Sequence, residues 1–296
     1  MSLFLFSQIS SIIKCVPKVV LASDIDKTLT DESKHVPDDV ISYLAELHKQ
    51  DWEIVLVTGR TFSYAMMSLE KINFPYYLAV QNGAEVLKMP EKTILFRNFL
   101  PKSVAYFMDG IYRNIKEDFL IYSGLEQGDF CYYRTNKFSP HFLEYIEKLK
   151  PIASADWVEV EDLADIPQTS FPLIKGLGDL EGLKLVQKEL NHIQLATSSI
   201  ILDTVHPSLP ILLVTHREVD KGLIFKKLKE HCGWNCPTIA AGDDMNDVPL
   251  LQSADLGIAM GTAPEELKKV AHIITTSSFE KGVIPALEEA KKRLLV

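Results

Sequence analysis

The chain has 296 residues, room for one large domain or two ordinary ones, and its 47% apolar and 24% charged residues are those of a soluble globular protein that builds its core without staples. A formal net charge of -9, with acids spread along the chain and no basic stripe, excludes an electrostatic binder of nucleic acid. No apolar run approaches the length of a membrane span.

The first stretch, "MSLFLFSQISSIIKCVPK", is apolar, but its lysines follow the apolar part, whereas a signal peptide puts its basic residues first. A short helix packed on the domain is expected there. "KVVLAS" (18–23) is a near-continuous apolar run, as a strand covered on both faces should be. "VPDDVISYLAELHKQ" then opens with Pro37 and two aspartates and carries Val40, Ile41, Leu44 and Leu47 at helical spacing. The strand "WEIVLVTG", the helix "TFSYAMMSLEKI" and the strand "YYLAVQNG" follow. At the far end "TIAAGD", "LGIAMG" and "HIITTS" read as strands, with helical "DVPLLQS" and "APEELKKV" between them and "GVIPALEEAKKRL" closing the chain. This alternation predicts an α/β fold with a parallel sheet between helical layers.

The middle differs. From Gly83 to Thr215, strand-like "AEVLKM", "TILFRN", "FLIYSGL", "FCYYRT", "FPLIKGL", "SIILDTV" and "PILLVT" mix with helices near 103–116, at "PHFLEYIEKLK" and at "EGLKLVQKELNHI". An α+β insert over 83–215 is expected, interrupting a parallel core formed by 1–82 and 216–296. Tyr132, Tyr133 and Phe138 are expected in the core of the insert. The four cysteines are too few and too widely spaced for a redox pair or a zinc site, so reduced thiols of an intracellular protein are expected.

Four polar clusters fall at predicted strand ends, where open parallel sheets bind ligands. The first is Asp24-Ile25-Asp26-Lys27-Thr28. Residues two apart in an extended chain point the same way, so both carboxylates face one site, one suited to nucleophilic attack and the other to acid/base work. Charges that close favour a cation between them. The second is Thr58-Gly59-Arg60, a hydroxyl and free N–H groups at a helix start, which cradle an anion or merely cap the helix. The third is Lys221-Gly222, opening a helix. The fourth is Gly242-Asp243-Asp244-Met245-Asn246-Asp247, whose acids point to a cation or to an acidic turn capping the next helix.

In this order the clusters resemble motifs I to IV of the haloacid dehalogenase superfamily of phosphotransferases. The large insert after Asn82-Gly83-Ala84, with "GIAMG" and "FEKGVIPAL" in the tail, resembles its Cof-like sugar-phosphatase branch. Lys27 departs from the pattern, which commonly has glycine. The resemblance implies a Rossmann-like core carrying an inserted α+β cap that selects the substrate. It implies Asp24 as nucleophile and Mg²⁺ ligand, and Asp26 as acid/base with its carbonyl on the metal. Thr58, Gly59, Lys221, Asn246 and the Ile25 backbone would hold the phosphate, Asp243 would complete the metal site, and Asp247 would hold neighbours in place. Asp244 receives no role. The expected protein is a cytoplasmic, Mg²⁺-dependent hydrolase of small phosphorylated metabolites, sugar phosphates first. It would be a monomer or homodimer, without nucleic-acid or membrane partners. A phosphosugar mutase using the same two aspartates and a non-catalytic phosphate-binding module are the rival readings. Counted from Asp26, "DKTLT" also resembles the phosphorylation motif of P-type ion pumps, which need membrane helices. Aligned over "TLT", that motif too puts the attacking residue at Asp24. The acid at position 26, where pumps carry threonine, favours a short-lived phosphoenzyme and hence hydrolysis.

Overall fold

The computed structural model describes residues 17–30, 35–203, 205–206 and 208–294. The N-terminal helix expected within 1–18 and Cys15 lie outside the described residues, apart from Pro17 and Lys18. Among the described residues Cys131, Cys232 and Cys236 form no disulfide.

The order of elements is the expected alternation. β1 (Val19–Asp24), α1 (Asp38–Lys49), β2 (Trp52–Val57), α2 (Phe62–Leu69) and β3 (Tyr76–Val80) open the chain. α6 (Lys221–Cys232), β14 (Thr238–Gly242), α7 (Val248–Gln252), β15 (Leu256–Ala259), α8 (Glu265–Val270), β16 (Ile273–Ile274) and α9 (Val283–Leu294) close it. The strands assemble in the order β16-β15-β14-β1-β2-β3, all parallel. All six residues of β1 are buried because its faces are covered separately. Leu21 packs with Leu44, Leu47 and Leu287 of α1 and α9, and Val20 and Ala22 pack with Ile224, Phe225 and Leu251 of α6 and α7. This two-sided burial is why the sequence reads as an unbroken apolar run.

The expected crossing at Gly83 is displaced. β4 (Glu85–Met89) and β5 (Thr93–Arg97) extend this same sheet, antiparallel, beyond β3. The turn at 81–83 reverses the chain at once, with φ of 52° at Gln81, 59° at Asn82 and 101° at Gly83. Three successive left-handed residues make a hairpin corner rather than a linker. The chain leaves the sheet only after Arg97.

The second sheet runs β12-β13-β11-β7-β8-β9. Its strands are β7 (Phe119–Tyr122), β8 (Phe130–Tyr133), β9 (Asp156–Glu159), β11 (Leu173–Gly176), β12 (Ala196–Leu202) and β13 (Pro210–His216). All pairs are antiparallel except β8 with β9. Its helices are α3 (Lys102–Tyr112), α4 (Pro140–Ala153) and α5 (Leu180–Leu190). α3 and α5 cover one face, burying Met108, Tyr112, Leu183 and Val186 against Ile121, Tyr132 and Ile174. α4 covers the other, burying Phe142, Tyr145 and Ile146 against Leu120, Tyr133 and Leu173. Phe138 joins this second layer, so all three aromatics expected in the core of the insert are buried there. A two-stranded ribbon, β6 (Leu100–Pro101) with β10 (Ser170–Phe171), lies beside it.

Named polar contacts tie the two sheets together. The buried Glu85 carboxylate accepts from the Leu125 and Glu126 N–H groups at 2.8 and 3.2 Å. Ser63 donates to Asp129, and Thr61 donates to the Ala153 carbonyl. Thr61 and Ser63 stand at the start of α2, directly after the Thr58-Gly59-Arg60 cluster.

Candidate active site

Three parallel strands end side by side. Asp24, the last residue of β1, is level with Val57 of β2, so Thr58 follows one step beyond it. On the other side Ser23 is level with Ala241, so Gly242 and then Asp243 leave β14 at the same edge. Strand register alone therefore brings clusters one, two and four together.

Lys221 joins them from α6. Asp220 caps that helix by accepting from the Gly222 and Leu223 N–H groups, both at 2.9 Å, which presents Lys221 at the first turn. Gly222 has to be glycine, since a Cβ there would lie 2.2 Å from the Pro249 carbonyl oxygen. The Lys221 ammonium donates to Asp24 Oδ1 at 2.6 Å and to Asp247 Oδ1 at 2.7 Å, with all three side chains buried. Asp247 Oδ2 accepts from the N–H groups of Asp243 and Asp244 at 2.9 and 3.0 Å. Both of its oxygens are thus spent on holding neighbours. Gly242 makes room for this, because a Cβ there would sit 2.4 Å from Asp247 Cβ. Asp244, unassigned from the sequence, caps the next turn by accepting from Met245 N–H at 2.7 Å.

Carboxylate oxygens of Asp24, Asp243 and Asp247 lie within 4.8 Å of one another, with one lysine among them. Burial pushes the Asp24 carboxyl well above the ordinary range; Lys221 opposes this, and Asp247, Asp243 and Asp26 add to it. Asp243 is pushed up to about 7 by burial and by Asp247, against the pull of Lys221. Burial disfavours the charge on Lys221, but Asp24 and Asp247 outweigh it, and the ammonium is held above its usual value. One lysine does not balance three acids. Asp24 Oδ2 and the Asp243 carboxylate accept no hydrogen bond among the described residues. That donor set fits a small, hard divalent cation, which takes one or two carboxylates and completes its shell with water and phosphate oxygens.

The remaining predicted residues surround this cluster. Thr58 is buried and its Oγ1 accepts from Arg60 N–H at 3.1 Å. Its backbone carbonyl accepts from Asn82 N–H at 2.8 Å, and a Cβ on Gly59 would be 3.4 Å from Asn82 Oδ1. Asn246 is exposed and its Nδ2 donates to the same Oδ1 at a long 3.4 Å. Asn82, noted in the sequence only as a marker of the insert, therefore links the second and fourth clusters. The Ile25 carbonyl accepts from Leu29 and Thr30 N–H, both at 3.0 Å, closing the turn after β1. Within that turn Lys27 has φ 52°, a conformation that glycine adopts without strain, and Lys27 also pulls down the pKa of Asp243. Asp26 does not point at Lys221. Its carboxylate, partly exposed, is gripped by Arg60, a partnership the sequence did not suggest.

An open, mostly parallel sheet with a buried aspartate–lysine cluster at its strand ends defines the class: a phosphate-handling α/β enzyme. Residues 21–287 match the family of haloacid dehalogenase-like hydrolases, and the chain belongs to that family. It is 27% identical to the HMP-PP phosphatase of Escherichia coli O157:H7 (strain EC4115 / EHEC) over 83% of this chain and 85% of that one. It is similar to the phosphatase YwpJ of Bacillus subtilis (strain 168), 24% identical over 89% and 96%. Among solved structures, a haloacid dehalogenase-like hydrolase from Bacteroides thetaiotaomicron superposes with a TM-score of 0.74 at 26% identity, covering 93% of this chain and 99% of that one. Among the described residues no helix is long and apolar enough to cross a membrane.

Proposed function

We propose that this phosphatase is a Mg²⁺-dependent phosphomonoester hydrolase of small phosphorylated metabolites, sugar phosphates first, working through an aspartyl-phosphate on Asp24. The observation that carries the reading is the cluster of Asp24, Lys221, Asp247 and Asp243 at the ends of β1 and β14. One Asp24 carboxylate oxygen attacks phosphorus in line. The bond from phosphorus to the leaving oxygen breaks, and Asp26 donates the proton that oxygen needs. Asp26 then takes a proton from water, the water oxygen attacks phosphorus, and the Asp24–phosphorus bond breaks to release inorganic phosphate. Thr58, Gly59, Asn246 and the Ile25 backbone hold the phosphoryl oxygens, and Lys221 offsets their charge. Mg²⁺ bound by Asp24, Asp243 and the Asp26 carbonyl supplies electrostatic stabilisation of the transferring group. The segment carrying the second sheet selects the leaving group. The setting proposed is the cytoplasm, as a monomer or homodimer.

The test is phosphate release from a panel of phosphorylated metabolites with Mg²⁺ and with chelator. Turnover of sugar phosphates should appear only with Mg²⁺. Undiminished turnover in chelator would exclude the metal, and turnover confined to other phosphoesters would exclude the substrate class.

A stability measurement checks the metal independently. Asp24 and Asp243 have folded-state pKa values above their ordinary ones. Without metal they contribute stability that is fully present below about pH 4 and is lost as pH rises, through about 7 for Asp243. The melting temperature in chelator should therefore drop between about pH 5 and about pH 8, and Mg²⁺ should recover most of that loss at the higher pH while adding little at the lower. An equal Mg²⁺ effect at both pH values would count against these two carboxylates as its ligands.

A further inference from the structure

The geometry points to Arg60 as the positioning residue of the acid/base step, holding the Asp26 carboxylate in its working orientation. The inference rests on the reading of Asp26 given above. Arg60 Nε donates to Asp26 Oδ2 at 2.8 Å and Nη2 donates to Oδ1, a two-pronged grip on the carboxylate. The partners are unequal: the Arg60 side chain is 4% exposed and that of Asp26 35%. The buried member is the fixed one. Its Nη1 donates to Ser68 Oγ at 2.6 Å and to the Tyr64 carbonyl at 3.4 Å, and its guanidinium stacks 4.1 Å from the centre of the Tyr64 ring. Tyr64 and Ser68 both belong to α2, so a helix of the core fixes the fork and the fork fixes the plane of the acid.

The backbone of Arg60 does related work. Its N–H donates to Thr58 Oγ1 at 3.1 Å, and its carbonyl accepts from Gln81 N–H at 2.8 Å, next to Asn82. One residue thus ties the hydroxyl and turn of the phosphate cradle to the acid/base. The fork occupies one lone pair on each Asp26 oxygen along the edge facing Arg60. The outer lone pairs remain for the leaving oxygen and for water. A lysine in place of Arg60 keeps the charge but not the two-point grip, so it leaves the acid free to rotate.

A double-mutant cycle with p-nitrophenyl phosphate tests this. Arg60→Lys should lower kcat by about 10²-fold with little change in KM, the size expected for a misplaced catalytic group. In the Asp26→Asn background, already slow, Arg60→Lys should change kcat by no more than about twofold, because the group it positions is gone. Ser68→Ala, which removes one buttress and leaves the fork, should fall between wild type and Arg60→Lys and be silent in the Asp26→Asn background. Matching thermal midpoints for Arg60→Lys and wild type exclude a general loss of fold; if Arg60→Lys does not fold, the Ser68→Ala cycle decides. A drop of the same size in both backgrounds would overturn the inference while leaving Asp26 as acid/base. Full turnover by Asp26→Asn would instead overturn the underlying reading.

Discussion

Lys221→Met is expected to lower stability by about 3–5 kcal/mol at neutral pH and to remove turnover. Lys221 is the ammonium facing two buried acids, Asp24 and Asp247, whose side chains are 5% and 0% exposed. Deleting it leaves both charges in the interior without their partner. Burial resists the charge on Lys221, but the two carboxylates hold its folded pKa above the ordinary value. A lysine shifted that way contributes stability that is fully present below its unfolded pKa and is lost only as pH rises through the folded one, so the whole contribution is in force at pH 7. The variant should regain stability on acidification, as Asp24, whose carboxyl burial already holds well above its ordinary range, takes up a proton. Urea unfolding of both proteins at about pH 5.5 and about pH 8 measures this. A deficit below about 1 kcal/mol at both pH values would put the Lys221 contacts in the class of surface ion pairs and would contradict their burial.

The parallel core was legible because its strands are covered on both faces. β1, β3 and β14 show this as apolar stretches at 19–22, 76–80 and 239–241, and β2 as the stretch 54–57 that follows Glu53. The candidate site was legible for a related reason. Strand register puts strand ends side by side, so clusters far apart in sequence become neighbours without any side-chain knowledge. Asp24, Thr58 and Asp243 follow from that alone.

What was not legible depends on long-range choices. "AEVLKM" and "TILFRN" read as strands, but nothing local says which sheet they join; the left-handed corner at 81–83 decides it. β9 was missed because "DWVE" is four residues with an acid at each end, on the edge of its sheet, where a strand needs no apolar run. Arg60 read as part of an anion cradle. Its grip on Asp26 spans 34 positions and depends on a side-chain direction that spacing does not encode. Asp244 is different, since an acid followed three residues later by Asp247 approximates a capping box and carried a usable signal.

The two aspartates of "SDIDKTLT" should separate cleanly by variant. Asp24→Asn is expected to abolish turnover and to leave no phosphoenzyme, because the amide does not attack phosphorus. Its fold should survive: Asp24 is an acid whose charge burial disfavours, so removing the charge relieves part of the crowding with Asp243 and Asp247. Asp26→Asn keeps the proposed nucleophile, whose Oδ1 lies 2.6 Å from Lys221 in the unsubstituted protein, and loses the proposed acid/base. That loss is worth about 10²- to 10⁴-fold in turnover. An aryl phosphate with a good leaving group needs little help from an acid in the first step, so the deficit falls on activation of water in the second. Phosphoryl-Asp24 should therefore accumulate in Asp26→Asn. Rapid quench followed by peptide mass spectrometry should place the added phosphoryl mass on Asp24, with much less in wild type, whose intermediate is hydrolysed quickly. If the phosphoryl group appears on Asp26 in wild type and still forms in Asp24→Asn, the nucleophile is Asp26, and Arg60 would then be gripping the attacking group rather than the acid.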